Sequence, residues 1–356
     1  MTPVFSRRSW LHATGLASLL GTAGTLVRSA RLRGAGAPAE HDGHRAPAGG
    51  HGHGLGTVGR VSATAFDPAV FVRSWNFNEL PPPDRERVYR ETPRSDGTLL
   101  REYNIFAVDR EIEIAPGVFY PAWTYNGQVP GPTIRATEGD RLKVTFINQG
   151  SHPHTIHFHG WHPPDMDGSL PHQQVMPGAT FVYEFDADPV GLHLYHCHAV
   201  PLRRHIHKGL YGVFIIDPRG EPPAMRDDLI MVMNGFDTNF DNENEVYAVN
   251  SVANAYMVDP IPVTVGRPVR IYLVNITEFD LINSFHLHGM FFDARRTGTA
   301  RAPEVTDTIM LCQGERAILD TTFRYPGDFM FHAHQSEFAE LGWMGLFRAG
   351  GMRRDT

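Results

Sequence analysis

The stretch that decides the fold of this chain is Val190-Gly191-Leu192-His193-Leu194-Tyr195-His196-Cys197-His198. It has a counterpart later in the sequence, Pro326-Gly327-Asp328-Phe329-Met330-Phe331-His332-Ala333-His334. In both, a turn-forming glycine precedes a run rich in apolar and aromatic residues, which ends in two histidines separated by one residue. The correspondence indicates an internal repeat, which is the signature of an architecture built from similar units.

Other motifs repeat at nearly the same distance on either side of this stretch. The offsets are 127, 129, 136 and 133 residues, measured from Asn148 to Asn275, from His159 to His288, from Cys197 to Ala333 and from Gly212 to Gly345. A nearly constant offset predicts two homologous domains, at residues 61–218 and 219–350. The proline-rich segment Asp217–Met225 marks the linker between them.

The sequence around the repeats predicts strands rather than helices. The runs Arg141–Asn148 and Thr180–Phe185 alternate with a period of two and are rich in β-branched and aromatic residues. Turn-forming residues recur between such runs, whereas helical periodicity is scarce. The predicted fold class is therefore all-β, with sandwich or barrel domains.

The composition limits the function. The chain has 356 residues and a formal net charge of −7, from 39 acidic and 32 basic side chains. This balance disfavours nucleic acid as a partner, since such proteins carry a basic surface. With only two cysteines, Cys197 and Cys312, the chain is not a disulfide scaffold. Cys312 has no neighbouring histidine and is predicted to be a buried apolar thiol.

The first 60 residues predict export rather than a folded domain. Residues 1–39 resemble a twin-arginine signal, with Arg7 and Arg8 ahead of a mildly apolar stretch too interrupted to span a membrane. Residues 40–60 are rich in His and Gly, which predicts a disordered linker. We therefore expect export in the folded state to the periplasm or the cell exterior, with no membrane attachment after cleavage.

Histidine is unusually abundant, with 20 copies against two lysines. Eight of them form pairs spaced by two residues, and such a spacing on a strand places both side chains on one face. Imidazole nitrogens suit Zn, Cu, Fe and Ni. Four pairs at matching places in two repeats therefore predict metal binding by His157, His159, His196, His198, His286, His288, His332 and His334.

A further set of residues in the first repeat selects copper. Cys197, His154 and His205 supply one thiolate and two imidazoles, which is the donor set of a blue-copper electron-transfer site. Leu210 is the expected axial occupant, and because leucine cannot coordinate, the site would be three-coordinate with a raised reduction potential. His207 is an alternative to His205, which is preferred for its spacing to Leu210.

The second repeat lacks this extra set while keeping its histidine pairs. Asn283 stands at the position of His154, Ala333 at that of Cys197 and Trp343 at that of Leu210. No histidine follows His334. This pattern predicts two separate kinds of site, of which only one is confined to the first domain.

The motifs His157-Phe158-His159-Gly160, His196-Cys197-His198 and His286-Leu287-His288-Gly289 resemble the copper motifs of multicopper oxidases. Over roughly residues 100–350 the chain looks like a two-domain, small laccase-like member of that family. The resemblance implies two cupredoxin-type Greek-key domains. It also implies a type 1 copper in the first domain, at the Cys197 site described above.

The family pattern further implies a trinuclear copper cluster, and so four copper ions per chain: one of type 1, one of type 2 and two of type 3. His157 and His286 would hold the type 2 ion. The type 3 pair would be held by His159, His196, His198, His288, His332 and His334.

The resemblance also implies an activity and an assembly. A small reducing substrate would give single electrons to the type 1 copper, from which they pass through Cys197 to the cluster, where dioxygen is reduced to water. A two-domain chain completes its cluster by pairing its first domain with the second domain of a neighbour. The expected assembly is therefore a homotrimer, a ring of heterologous contacts.

Reducing dioxygen consumes protons, so an acidic side chain near the cluster is expected. Asp167 stands where related oxidases carry such a residue, although an Asp-Gly turn explains it equally well. Glu337, three residues after His334, is a second candidate.

Two other functions are compatible with parts of this pattern. A copper nitrite reductase also has two cupredoxin domains, but its second site is one copper with three histidines and leaves several of the eight unexplained. A copper-binding or structural cupredoxin protein without turnover is the other alternative, and the retention of every ligand argues against it. Phenols, aromatic amines and metal ions all remain open as the reducing substrate.

Overall fold

The computed structural model describes residues 66–74, 77, 88–221 and 225–351. The predicted signal segment and the predicted linker at residues 40–60 lie outside these residues, as does the beginning of the predicted first domain. No helix in the described ranges is both long and apolar enough to cross a membrane.

The first domain is a sandwich of two sheets. One sheet has the order β1-β2-β5-β7 with β3 also paired to β2, and the other has the order β4-β9-β8-β6. Its strands are β1 (Tyr89–Pro93), β2 (Leu99–Ala115), β3 (Val118–Tyr125), β4 (Gly131–Thr137), β5 (Arg141–Asn148), β6 (His157–Phe158), β7 (Thr180–Asp186), β8 (Gly191–His196) and β9 (Tyr211–Asp217).

The second domain repeats this plan. Its sheets have the orders β11-β10-β13-β18-β15-β16 and β12-β20-β19-β14-β17. The strands are β10 (Asp227–Phe236), β11 (Val246–Val249), β12 (Ile261–Thr264), β13 (Pro268–Asn275), β14 (Ile282–Leu287), β15 (Phe292–Arg296), β16 (Glu304–Thr306), β17 (Thr308–Cys312), β18 (Arg316–Thr322), β19 (Gly327–His332) and β20 (Met344–Gly350).

The helices are short and lie between strands. They include α1 (Pro68–Phe71), α2 (Leu202–His207), α3 (Ala255–Val258) and α4 (Ser336–Glu340). Two 3₁₀ helices, Pro164–Met166 and Pro171–Gln173, follow β6. The all-β prediction is confirmed.

Strand pairing reproduces the sequence repeat. In the first domain β2 runs parallel to β5 and β4 parallel to β9, and in the second domain β10 runs parallel to β13 and β12 parallel to β20. The strand β5 shows how the sequence builds these sheets, because Leu142, Val144 and Phe146 alternate inward while their neighbours are half-buried. The predicted boundary between residues 218 and 219 lies between β9 and β10 and stays a prediction.

A shared core holds the two domains face to face. On β8, Tyr195 joins the core of the first domain, whereas Leu192 and Leu194 join a core that also contains second-domain residues. On β10, Met231 joins the second-domain core and Val232 joins the shared one. Strands buried on both faces read as nearly continuous apolar runs, as these do.

The prediction that Cys312 is buried is wrong. Ile309 and Leu311 on β17 face the core, and Cys312 is exposed. Because side chains alternate along a strand, the residue after an inward-facing leucine faces solvent.

One buried carboxylate ties the start of β5 to its neighbours. Asp140 is 1% exposed. It accepts hydrogen bonds from the backbone N–H groups of Leu99 and Thr137, at 3.0 and 3.1 Å, and from the guanidinium groups of Arg101 and Arg219, both at 2.7 Å. Burial raises the pKa of Asp140, but these hydrogen bonds together outweigh it and hold the pKa below its usual value.

Replacing Asp140 by asparagine is expected to lower the free energy of unfolding by about 3 kcal/mol at pH 7, because two arginines then lose a buried partner. Since the folded-state pKa is depressed, the carboxylate stabilises the fold fully above its unfolded-state pKa. That contribution disappears as the pH falls through the folded-state pKa. Denaturation at several pH values measures both effects.

Asp328→Asn is the control, since it removes an exposed ion pair with Arg348 and should change the free energy of unfolding little. An equal effect of both variants would contradict this role.

Candidate metal centres

The first candidate site is a buried cluster of one thiol and two imidazoles. Cys197 and His154 are fully buried and His205 is 2% exposed. The Sγ atom of Cys197 lies 3.3 Å from Nδ1 of His205 and 3.9 Å from Nδ1 of His154. The two Nδ1 atoms lie 3.1 Å apart. Three donor atoms therefore converge on one point.

The surroundings of this cluster act in opposite ways on its imidazoles and its thiol. Burial lowers the pKa of His154 to about 3 and that of His205 to about 4, so both imidazoles are neutral at pH 7. Burial raises the pKa of the Cys197 thiol to about 11, although the N–H groups of Thr155 and Ala199 donate to its sulfur. A metal ion that binds here must therefore displace the thiol proton.

The chemistry of this donor set fits copper. Two imidazoles and one thiolate form the trigonal arrangement of a blue-copper site. Leu210, the expected axial occupant, is fully buried in the same core cluster as Cys197, and its carbonyl accepts the Cys197 N–H at 3.0 Å. The Trp123 ring packs against both histidines, with its centroid 5.2 Å from that of the His154 ring and 4.9 Å from that of the His205 ring.

His207, the alternative to His205, lies elsewhere. Its Nε2 atom accepts the N–H of Asp237 at 3.1 Å and is also 3.1 Å from the Tyr120 hydroxyl. Its ring packs 4.8 Å from the Phe279 ring. The structure thus brings His205 to Cys197 and directs His207 towards the second domain.

The second candidate site gathers the paired histidines of the first domain. Pairing of β6 with β8 sets His157 opposite His196. Nitrogen atoms of His157, His159 and His196 all lie within 4.8 Å of one another. The His198 ring lies 5.5 Å from that of His157. Three of the four first-domain pair members therefore present nitrogen atoms to one point, and the ring of the fourth, His198, lies beside them.

The third candidate site repeats this arrangement in the second domain. Pairing of β14 with β19 sets His286 opposite His332. Nitrogen atoms of these two residues and of His288 lie within 4.8 Å of one another. The His334 ring lies 5.3 Å from that of His286.

Each predicted pair shares a face, although the pairs lie at strand ends rather than within strands. The ring centroids are 5.2, 5.9, 4.9 and 5.9 Å apart in the pairs His157/His159, His196/His198, His286/His288 and His332/His334. The strand ladders end where the imidazoles converge.

Backbone carbonyls orient the rings identically in both domains. Nδ1 of His157 lies 2.9 Å from the Asp167 carbonyl, and Nδ1 of His286 lies 2.9 Å from the Asp307 carbonyl. Likewise, His196 and His332 direct Nδ1 to the carbonyls of the residues that follow them, at 3.0 and 2.6 Å. A carbonyl only accepts, so each Nδ1 carries the proton and each Nε2 keeps the lone pair that can bind a metal. The Nε2 atoms of His196 and His332 lie 3.2 and 2.9 Å from Nε2 of His159 and His288.

Sequence reasoning missed two hydroxyl residues that support these sites. The Thr155 hydroxyl accepts the His198 N–H at 3.0 Å, and the Ser284 hydroxyl accepts the His334 N–H at 2.7 Å. Both stand two residues before the first histidine of a pair. The repeat would have revealed them, since Thr155 and Ser284 are aligned with each other.

Arg316 was also missed, and no sequence signal pointed to it. This second-domain side chain lies 3.2 Å from Nδ1 of His159, and its Nε atom donates to the Leu192 carbonyl at 2.8 Å. It therefore links the first-domain cluster to β18.

The two predicted proton donors occupy different positions. The Asp167 carboxylate lies 3.2 Å from Nδ1 of His157 and 3.6 Å from Nε2 of His162. It also accepts a hydrogen bond from the Ser169 hydroxyl. Glu337 lies half-buried in α4, one turn beyond His334. The Asp167 carboxylate thus contacts a paired histidine.

Comparison with known proteins identifies the family. The chain matches two family models, each described as multicopper oxidase, over residues 108–221 and 222–351. This chain belongs to the multicopper oxidase family. A solved structure of a multicopper oxidase is similar to it at 49% sequence identity and a TM-score of 0.75, over 80% of this chain and 97% of the other. Membership confirms the cupredoxin architecture and implies copper binding.

Other relatives of this multicopper oxidase have different activities. A copper-containing nitrite reductase of Neisseria meningitidis serogroup B is 30% identical over 247 residues, which cover 64% of this chain and 63% of that protein. Laccase 1 of Metarhizium guizhouense is 38% identical over 101 residues, 27% of this chain and 16% of that protein. The structure of the copper nitrite reductase from Nitrosomonas europaea matches with 27% identity and a TM-score of 0.65, over 70% of this chain and 94% of the other. The chain spans less than two thirds of the length of the Neisseria nitrite reductase and of Laccase 1.

Proposed function

We propose that this protein is a laccase-like multicopper oxidase that oxidises a small reducing substrate and reduces dioxygen to water. The observation that carries the proposal is the distribution of donor groups. Both domains hold a matched set of converging histidines, whereas, within the described ranges, only the first also holds a buried cluster of one cysteine and two histidines, namely His154, Cys197 and His205. This distribution supports one site for receiving electrons and a separate, shared site for dioxygen.

When bound, copper would supply one-electron transfer at a type 1 site held by His154, Cys197 and His205, and four-electron reduction of dioxygen at a trinuclear site held by the eight paired histidines. Four substrate oxidations supply the four electrons, and four protons complete two water molecules. The chain itself connects the sites, because Cys197 belongs to the first and its neighbours His196 and His198 belong to the second. The path between them is covalent.

Asp167 would orient His157 and hold a proton near the cluster. Replacing Asp167 by asparagine is expected to lower the rate of oxygen uptake by about tenfold or more, because the hydrogen bond to a ligating imidazole is weakened. The blue absorption should stay unchanged, since Asp167 does not contact the Cys197 site. Oxygen-electrode kinetics and a visible spectrum measure both.

Asp165→Asn is the matched control for this variant, because Asp165 is exposed on the 3₁₀ helix Pro164–Met166, which ends just before Asp167. It should behave like the wild type. Glu337→Gln tests the second candidate donor. A full loss of oxygen uptake in Glu337→Gln, with none in Asp167→Asn, would transfer the role to Glu337.

A homotrimer would complete the trinuclear site. Among the described residues of one chain, no contact joins a first-domain cluster histidine to a second-domain one, and His288 and His334 are exposed. Exposed apolar side chains, Leu281 at 90% and Phe291 at 66%, lie nearby in the sequence. We propose that each second-domain cluster faces the first-domain cluster of a neighbour, in a closed ring. Light scattering should give three times the chain mass, and a fully active monomer would exclude this assembly.

Export by the twin-arginine route is proposed for the segment at residues 1–39. Replacing Arg7 and Arg8 by lysine should retain the protein in the cytoplasm, which cell fractionation detects. Unchanged export of the variant would show that these residues are not a twin-arginine signal.

Nitrite reduction is the second candidate, favoured by the identity to nitrite reductases given above. Copper content and turnover separate the two functions. Four coppers per chain with oxygen uptake on a phenol or an aromatic diamine would support the oxidase. Two coppers per chain with nitrite turnover would support the reductase, and little bound copper would support a non-catalytic protein.

A further inference from the structure

A cavity of about 470 Å³ opens between the two domains, close to the Cys197 site. Helix α2 and the residue after it supply Arg203, Arg204 and Lys208 to its wall, and the second domain supplies Phe240 and Phe279. The cavity is large enough for a single-ring or two-ring organic molecule.

The cations in this wall have acidic neighbours but no close ion pair, since Asp109 attracts Lys208 and Glu278 attracts Arg203 at longer range. Among the described residues, none of Arg203, Arg204 and Lys208 forms an ion pair with a carboxylate. Lys208 is only 8% exposed, and its ammonium lies 5.0 Å from the ring centroids of both Tyr120 and Phe240. Burying a charge without a hydrogen-bonded partner is costly, so this arrangement favours an anionic occupant.

One acid, Asp237, lies in the same wall and offsets one of its three cations. Asp237 is 2% exposed, and its two carboxylate oxygens accept the N–H groups of Asp241 and Asn242, at 3.2 and 2.8 Å. Its carboxylate is therefore committed to its own loop. The local charge of the cavity is positive although the whole chain carries −7.

Aromatic rings also line the cavity. Phe240 is 56% exposed, and the Arg203 guanidinium lies 5.3 Å from the Phe279 ring centroid. Flat apolar faces beside cations suit a molecule that has both an aromatic ring and a negative charge.

The cavity is also connected to the electron-receiving site. The Arg204 guanidinium lies 5.1 Å from the Trp123 ring centroid, and this indole also contacts His205, 4.9 Å between centroids. One side chain thus separates the cavity wall from a predicted copper ligand.

We propose that this cavity binds the reducing substrate and selects an aromatic donor that carries a carboxylate or sulfonate group. The inference rests on the proposed oxidase function for the role of the occupant. The anionic group lies against Arg203 and Lys208, and the ring lies against the phenylalanines.

Binding can be measured on the copper-loaded protein without turnover. Calorimetry should show naphthalene-1-sulfonate binding at least about tenfold more tightly than the neutral naphthalene-1-methanol. Lys208→Met and Arg203→Gln should each weaken sulfonate binding about tenfold, whereas Lys208→Arg should bind sulfonate as tightly as the wild type. Lys143→Met is the control, since Lys143 is the other lysine and pairs with Glu102 on the first-domain sheet.

A kinetic comparison tests whether the molecule bound in the cavity is also the electron donor. The probes are 4-hydroxy-3,5-dimethoxybenzoate and its methyl ester. The kcat/KM of the acid is divided by that of the ester for each protein. Comparing this ratio between wild type and variants cancels the difference in intrinsic reactivity between the two compounds. Lys208→Met should lower the ratio about tenfold through the KM of the acid, whereas Lys143→Met should leave the ratio unchanged. Thermal denaturation checks that each variant is folded.

The outcomes separate this inference from the proposed function. Normal oxygen uptake with no preference for the anionic probes, or a preference that survives both Lys208→Met and Arg203→Gln, would overturn the inference and leave the oxidase intact. Charge-dependent sulfonate binding without any oxygen uptake would support the anion site and contradict the oxidase.

Discussion

Replacing Cys197 by serine is expected to abolish the blue absorption and to reduce substrate oxidation below about one hundredth of the wild-type rate. The thiolate is the soft ligand that makes the first site suitable for copper electron transfer, and a hydroxyl oxygen cannot replace it. Its loss also removes the side chain that starts the covalent path to His196 and His198. The visible spectrum, the copper content and oxygen uptake measure the effect.

Cys312→Ser is the matched control for this experiment, because Cys312 is the other cysteine and is exposed. It should keep both colour and activity. A blue Cys197→Ser protein that still oxidised phenols would show that the electron-receiving site lies elsewhere.

Replacing His334 by alanine is expected to leave the blue band intact and to reduce oxygen uptake by roughly a hundredfold or more. His334 lies among the second-domain histidines, 5.3 Å from the His286 ring, and has no contact with the Cys197 site. The variant should therefore be reduced by the substrate and fail to be reoxidised by dioxygen. Anaerobic bleaching followed by exposure to air measures the two steps separately.

His172→Ala provides the comparison, since His172 is exposed on a 3₁₀ helix of the first domain. Its oxygen uptake should equal that of the wild type. Full oxygen uptake in His334→Ala would show that the cluster assignment is wrong.

The histidine pairs illustrate how much of the site local sequence patterns predict. On an extended chain, residues two apart point to the same side, so the spacing of His157 and His159 is enough to predict a common face. The repeat then predicts that the second domain presents a matching set. The same alignment, applied to hydroxyl residues, also points to Thr155 and Ser284.

The choice between His205 and His207 shows where such reasoning ends. Both lie on α2, where each residue advances about 100° around the axis, so a spacing of two sends the side chains to nearly opposite sides. The sequence contains both and does not show which side meets Cys197. Packing decides it, because His207 lies against Tyr120 and Phe279 while His205 lies against Trp123.

Four features could be predicted before any fold was known: the all-β class, the two repeats, the matched histidine pairs and the confinement of the cysteine site to one domain. These follow from local periodicity and from the comparison of one segment with another. Packing between distant segments brings His205 to Cys197 and Arg316 to His159, and it buries Lys208 without a close ion pair in a cavity between the domains. Those contacts join residues distant in sequence, and the side chains that neutralise or orient a group are defined only once the sheets have packed.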